Sequence, residues 1–339
     1  MARERVPGGG KTAWWVSLVW PVAGLALLLL YNLLFTQGFF HVEFREGYLY
    51  GTLIDILNHG SKVILLSLGM ALVIATSGVD LSVGAVMAIA GAIAAQLINM
   101  PHFPLAAVIA GTLLVAAVCG CWNGLLVTVF RVQPIVATLI LMVAGRGIAQ
   151  LITDGQIITF TNPGLTFIGN GHFLALPFPI VLALGMLGIT VLLTRKTALG
   201  LFIESVGDNA TASTFSGVNA GRIKFLVYMF SGVCAGLAGL VAASNIKCAD
   251  ANHAGLFLEL DAILAVVVGG TSLTGGRFYL AGAVVGALFI QTLTTTMYMR
   301  NVSADVAPVP KALAIIAVCL MQAPAFRQRL MSPFKRKPA

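Results

Sequence analysis

Charge is what this chain has least of. Only 9% of its 339 residues are Asp, Glu, Lys or Arg, against 58% hydrophobic, and a soluble domain carries about a quarter charged residues. Such a composition leaves almost nothing to cover a water-facing surface. It excludes a soluble enzyme or binding module and makes the chain an integral membrane protein. Paired cysteines are also missing. The five are scattered without the spacing of a zinc site, so no metal is expected, and Cys119 and Cys121 read as small packing residues in an apolar run. The twelve acids are Glu4, Glu43, Glu46, Asp55, Asp80, Asp154, Glu204, Asp208, Asp250, Glu259, Asp261 and Asp305. All fall in loops or at predicted helix ends. None sits mid-span, where an ion-coupled secondary carrier would need one. The five histidines (His41, His59, His102, His172, His253) lie apart, and no nucleophile elbow is present; no catalytic residue is expected. The segment "RVPGGGKT" (Arg5 to Thr12) has Arg5 where a phosphate loop needs its first glycine, and no strand precedes it.

What the chain has is apolar runs. They predict about ten spans: 14–35, 53–76, 80–99, 105–129, 134–153, 177–194, 223–243, 260–274, 280–299 and 309–323. The first follows Arg3, Arg5 and Lys11 without a small-x-small cleavage site, so it reads as a retained helix rather than a signal peptide. Mean hydropathy is +0.96, and no separate soluble domain is expected. The chain divides into a tail (1–13), a membrane domain (14–323) with a polar loop at 195–222, and a basic tail (324–339).

The net charge of +8 points to membrane topology rather than to nucleic acid. With the N-terminus in the cytoplasm, Arg131, Arg195, Lys196, Arg222, Lys224, Arg277 and the basic residues of both tails share one side. The other side receives Arg45, Lys247 and Arg300. That is the positive-inside pattern, and it places both termini in the cytoplasm. Arg146 is the one charge deep in a helix, about 18 Å from Pro134, and needs backbone carbonyls or water around it. Three glycine pairs at small-x-x-x-small spacing, Gly120/Gly124, Gly232/Gly236 and Gly282/Gly286, predict close helix packing.

Two segments break their apolar pattern alike: "ATSGVDLSVGAVMAIAGA" (Ala75 to Ala92) and "VVGGTSLTGGRFYLAGAVVGA" (Val267 to Ala287). Gly-broken segments of this kind point to a substrate path, with Asp80, Ser82, Arg146, Thr271 and Ser272 as candidates. Asp80 or Ser82 is also suited to accept from the first amides of the next helix. The polar stretch Thr194 to Phe225 predicts a helix of about two turns, started by Asp208 or Asn209 and ended at Gly217. It is too short to span, and it suits insertion into a groove on a partner protein. In the loop "SNIKCADANHAGLFLELDA", Asp250, Asn252, Glu259 and Asp261 are candidates for contact with a binding protein or sugar. For Glu259 and Asp261 the alternative is complementing a helix dipole.

These motifs carry a family resemblance. "SGVDLSVGAVMAIAGA", "QPIVATLILMVAGRGIAQLIT", "TRKTALGLFIESVGDNATASTFSGVN" and "ELDAILAVVVGGTSLTGGRF" resemble permeases of the ribose-type branch of bacterial ABC sugar importers. "GQIITFTNPGL" and "CADANHAGLFLELDAILAVV" bring the likeness nearest to galactofuranose permeases. The resemblance runs from about Asp55 to the tenth helix. It implies a ten-helix, type II-like importer fold in the bacterial inner membrane. The partners it implies are an ATPase subunit carrying ATP and Mg, a second related permease in a heterodimer, and a periplasmic sugar-binding protein. It also assigns ATPase coupling to Gly207, Asp208, Asn209, Ala212, Ser216 and Gly217. Asp208 and Thr214 depart from the more neutral and more variable residues of that pattern.

Overall fold

The computed structural model describes residues 14–45, 47–303 and 306–322. The two tails with their basic residues, Glu46 and Asp305 lie outside that range. In chain order the elements are α1 (Trp14–Phe35), β1 (Val42–Arg45), β2 (Tyr48–Gly51), α2 (Thr52–Ala75), α3 (Val83–Ile98), α4 (Leu105–Thr128) and α5 (Pro134–Ile152). There follow β3 (Ile158–Thr159), α6 (Pro163–Asn170), β4 (His172–Phe173), β5 (Leu176–Pro177), α7 (Phe178–Arg195), α8 (Leu199–Asp208) and α9 (Ala210–Phe215). Last come α10 (Ala220–Ile246), β6 (Cys248–Ala249), α11 (Leu258–Val268), α12 (Leu280–Met299) and α13 (Pro308–Gln322).

Each predicted apolar run holds one helix, but they are not equivalent. Seven helices (α1, α2, α4, α5, α7, α10 and α12) are long and apolar enough to cross a membrane. The eighth run departs most from expectation. Instead of spanning 260–274 it forms α11, only 11 residues long, or about 16 Å, roughly half a bilayer core. The remainder, 269–279, is irregular, because Gly270, Gly275 and Gly276 all take positive φ.

The core lies between α2 and α10. Every residue of α2 from Val63 to Ala75 is buried, so this helix is apolar all round and surrounded by protein. The predicted glycine pairs seat neighbouring helices within the chain. A Cβ at Gly232 of α10 would come within 3.0 Å of Gly120 Cα of α4, and one at Gly124 within 3.1 Å of Phe225 Cα. Gly282 and Gly286 of α12 lie likewise against Gly269 and Ala265. Without a hydrophobic drive between helices in lipid, such contact supplies the packing.

Arg131, Arg195, Lys196, Arg222, Lys224 and Arg277 gather at one end of the bundle, called the basic end below. At the opposite end, three small antiparallel pairs (β1–β2, β3–β6 and β4–β5) close the connections. The sequence did not predict these strands, each of two to four residues. Pairing satisfies backbone groups that helices cannot reach there.

Candidate functional site

At the basic end, α8 and α9 project as a pair. Asn209 occupies extended backbone between them and caps α9, its Oδ1 accepting from the Ala212 amide at 2.9 Å. Gly217, at φ +87°, ends α9. Val218 N donates to Ser213 O at 3.0 Å and Gly217 N to Thr214 O at 3.1 Å, the paired bonds of a Schellman termination. Of the two residues expected to start the helix, Asn209 is the cap and Asp208 closes α8 instead. Ala212 and Ser216 lie on this short helix and its C-cap, and Ser216 Oγ donates back to Ala212 O. Phe215, near the tip, is 89% exposed, unusually bare for an aromatic ring at a polar end. Its signal in the sequence is that it is the sole aromatic residue between Phe202 and Phe225. Below α9, Glu204 is pushed up by burial and drawn back by Arg195 and Arg277.

Inside the bundle, Asp80 is fully enclosed by hydroxyl and amide donors. Its Oδ1 accepts from Ser82 N at 3.0 Å, Ser82 Oγ at 2.7 Å and Asn123 Nδ2 at 3.4 Å, while Oδ2 accepts from Ser231 Oγ at 2.8 Å. The carboxylate thus pins the 76–82 turn to α4 and α10. Ser82 takes the N-cap position of α3 but makes no side-chain cap bond; Asp80 accepts its amide instead. Asn123 and Ser231 were missed from sequence, since nothing in a helix pattern reveals which polar residue faces a loop 40 or 150 positions away.

Arg146 anchors a second irregular segment. Its Nη1 donates to the carbonyls of Ala251, at 3.2 Å, and Ala254. Because Arg146 lies about 9 Å below the end of α5, the 247–257 segment must dive into the bundle to meet it. It goes deep enough for Gly255 to pack backbone-to-backbone on Gly84, in the first turn of α3. The expected surface loop is therefore re-entrant, and its non-helical backbone is tolerated because protein surrounds it. α11 starts from its base.

The four polar candidates of that loop occupy different places. Asn252 Oδ1 accepts from Gln150 Nε2 at 2.6 Å. Asp250 accepts the Asn252 and His253 amides and meets His253 Nδ1 at 2.8 Å. Burial raises the Asp250 carboxyl, but the His253 ring and those amides outweigh it and hold it below the ordinary carboxylate range. Glu259 is buried beside Gly84, and its Oε2 has no hydrogen-bond partner among the described residues. Asp261 pairs with Lys311 of α13 at 2.9 Å. A cavity of about 190 Å³ lies where the re-entrant segment meets α3 and α10, with Lys62 and Asp250 as its charged lining.

Thr271 and Ser272 stand apart from Asp80 and Arg146, in the 269–279 segment. Thr271 is buried and accepts the Tyr279 amide at 3.2 Å. Ser272 is exposed and shares a hydrogen bond with Thr274. Both shape the irregular backbone.

A bundle of long apolar helices with two irregular segments folded inside suits passage across a membrane, and sequence comparison decides the family. Residues 52–321 match the model described as the branched-chain amino acid transport system / permease component. The chain belongs to this permease family. As a permease it is a multi-pass membrane component of a transport system rather than a catalytic enzyme. It is similar to the galactofuranose transporter permease protein YtfT of Escherichia coli K12, 50% identical over 312 residues and 91% of each chain. It is also 41% identical to the fructose import permease protein FruF of Bifidobacterium longum NCC 2705, over 95% of this chain and 92% of that one. The ribose import permease protein RbsC of Escherichia coli K12 is 36% identical over 79% of this permease and 84% of its own length. No solved structure matches the chain.

Proposed function

We propose that this permease is the transmembrane subunit of an ATP-driven importer that moves a monosaccharide, galactofuranose or a related pentose or hexose, from periplasm to cytoplasm across the bacterial inner membrane. The observation that carries the reading is α9. A six-residue helix, marginal alone, is built with a side-chain cap, a glycine stop and an exposed Phe215. That construction serves a partner that docks on it. The partner is the ATPase subunit, which binds ATP and Mg, while this chain carries no cofactor of its own. Likeness to sugar permeases over nine-tenths of the chain supports the substrate class.

On this reading the basic end faces the cytoplasm, ten helices build the membrane body and both termini lie inside. A second, related permease completes a heterodimer. A periplasmic sugar-binding protein docks opposite, near Asp250 and Asn252, and Asp80, Ser82, Arg146, Thr271 and Ser272 support the irregular segments beside the path. Glu259 and Asp261 hold the base of the re-entrant loop. Proteoliposomes containing all partners test the proposal: uptake should require ATP on the side of α9 and proceed without an ion gradient. Uptake driven by a proton or sodium gradient without ATP would overturn it in favour of an ion-coupled secondary carrier.

A further inference from the structure

Three backbone segments far apart in sequence meet at the basic end. The last carbonyl of α2, Ala75 O, accepts from Gly276 N at 2.9 Å. Gly207, at the end of α8, lies so close that a Cβ there would strike the Ala75 carbonyl and come within 2.6 Å of the Gly276 amide. A Cβ on Gly276 would in turn lie 3.4 Å from Asp208 Cα. Only glycine permits this approach, so the α8–α9 pair rests directly on both Gly-broken segments.

Ser77 closes the triangle. Its Oγ lies 2.8 Å from Gly207 O and 2.9 Å from Thr274 O. A serine hydroxyl has one hydrogen to donate, yet two carbonyls stand at bonding distance. One carbonyl moves with α8 and α9; the other belongs to the 269–279 segment. Ser77 itself is held at φ +61°, a conformation unusual for a residue with a Cβ. Three residues on, Asp80 fastens the same turn to Asn123 and Ser231.

We propose that Ser77 is a positioning residue for coupling: its hydroxyl exchanges between Gly207 O and Thr274 O, so that displacement of α9 re-registers the 76–82 and 269–279 segments together. Two near-equivalent acceptors give the junction two discrete arrangements, which energetic coupling between distant sites requires. The Asp80 cluster then carries the shift to α4 and α10. The proposal rests on the reading of α9 as the ATPase contact.

Ser77→Gly is the informative variant, since it removes the hydroxyl and relieves the left-handed backbone. In proteoliposomes of the complete importer, sugar taken up per ATP hydrolysed should fall about fivefold, the weight of one neutral hydrogen bond. Basal ATP hydrolysis, the amount of ATPase bound and Tm should stay at the parental values. Ser77→Thr, which restores a hydroxyl, should recover part of the ratio. An unchanged ratio in Ser77→Gly, alongside loss of coupling in a variant that breaks α9, would overturn the role of Ser77 and leave the α9 reading standing. A fall in Tm or bound ATPase that matches the fall in uptake would mark Ser77 as structural and overturn the proposal equally. Full coupling in the α9 variant would remove the reading beneath it.

Discussion

The most direct perturbation of α9 is proline, and the structure decides where it should go. By sequence Ala212 looks like a helix interior, where proline costs about 3 kcal/mol. In the structure Ala212 is the third helical residue, and its amide donates to the Asn209 side chain, not to a backbone carbonyl. Proline there deletes the cap and no intrahelical bond, a loss of about 1 kcal/mol. The same loss follows from Asn209→Ala. Ser213 is different: its amide makes the first intrahelical bond, to Asn209 O at 3.0 Å, and its Oγ donates to the same carbonyl at 2.9 Å. Proline at Ser213 removes both and drives its ring against the preceding turn, for about 3 kcal/mol or more. At about 1.4 kcal/mol per tenfold change, the helical population falls roughly fivefold for Asn209→Ala and Ala212→Pro, and about 150-fold for Ser213→Pro. We expect graded loss of uptake and sugar-stimulated ATP hydrolysis in proteoliposomes, partial in the first two and complete in the third. Membrane insertion should be normal in all three. Normal coupling in Ser213→Pro, or an equal collapse in all three, would refute this account of α9.

Other expectations follow from single contacts. Phe215→Ala should weaken ATPase binding by about 2 kcal/mol, roughly 30-fold, if its ring is buried in the partner; titration of the purified subunits measures it. Single cysteines at Asn209 and Asn252, both exposed, should react from opposite sides of intact cells in a cysteine-free background; labelling of both by an impermeant reagent would invert the assignment of the ends. Asp250→Asn keeps the acceptor for the Asn252 and His253 amides and removes only the charge, so uptake should fall while protein in the membrane stays constant; unchanged uptake leaves Asp250 as a loop fastener. Arg146→Met should lower Tm, because the Ala251 and Ala254 carbonyls lose their donor at a cost of about 1–3 kcal/mol, and protease should then reach the 247–257 segment sooner.

Helices were legible in the sequence because apolar length alone specifies them in a bilayer. The cap at Asn209 and the stop at Gly217 were legible because capping chemistry is local. The shortening of α11 was not. Its apolar run continues past Val268 without interruption until Gly269, and only packing of Gly282 and Gly286 against the chain above them sets where the helix ends. The re-entrant loop was equally hidden. Its segment is polar enough to read as a surface loop, and the reason it enters the bundle, two backbone carbonyls facing Arg146 across 105 and 108 positions, leaves no local trace. Ser77 escaped notice for the same reason: a lone serine after a helix gives no hint that two carbonyls from other segments converge on it.

Two carboxylates that lie at helix ends in sequence are inside the bundle in space, and they bear on how the permease is energised. A carrier driven by protons or sodium needs a carboxylate that changes partners during the cycle. Asp80 has four donor contacts from Ser82, Asn123 and Ser231, so releasing it would strand all of these groups in a buried site. It is built as a fixed pin. Glu259 is less fully held, but it sits in the first turn of α11, where the helix dipole favours negative charge, with the Arg146 charge acting on it. Moving it would also release the re-entrant segment that Arg146 fastens. Both acids brace the irregular backbone against the long helices. The mobile contacts lie instead at the basic end, where Ser77 faces two carbonyls at once and α9 stands exposed. Work enters such a structure from a protein docked outside the membrane, not from an ion crossing through it.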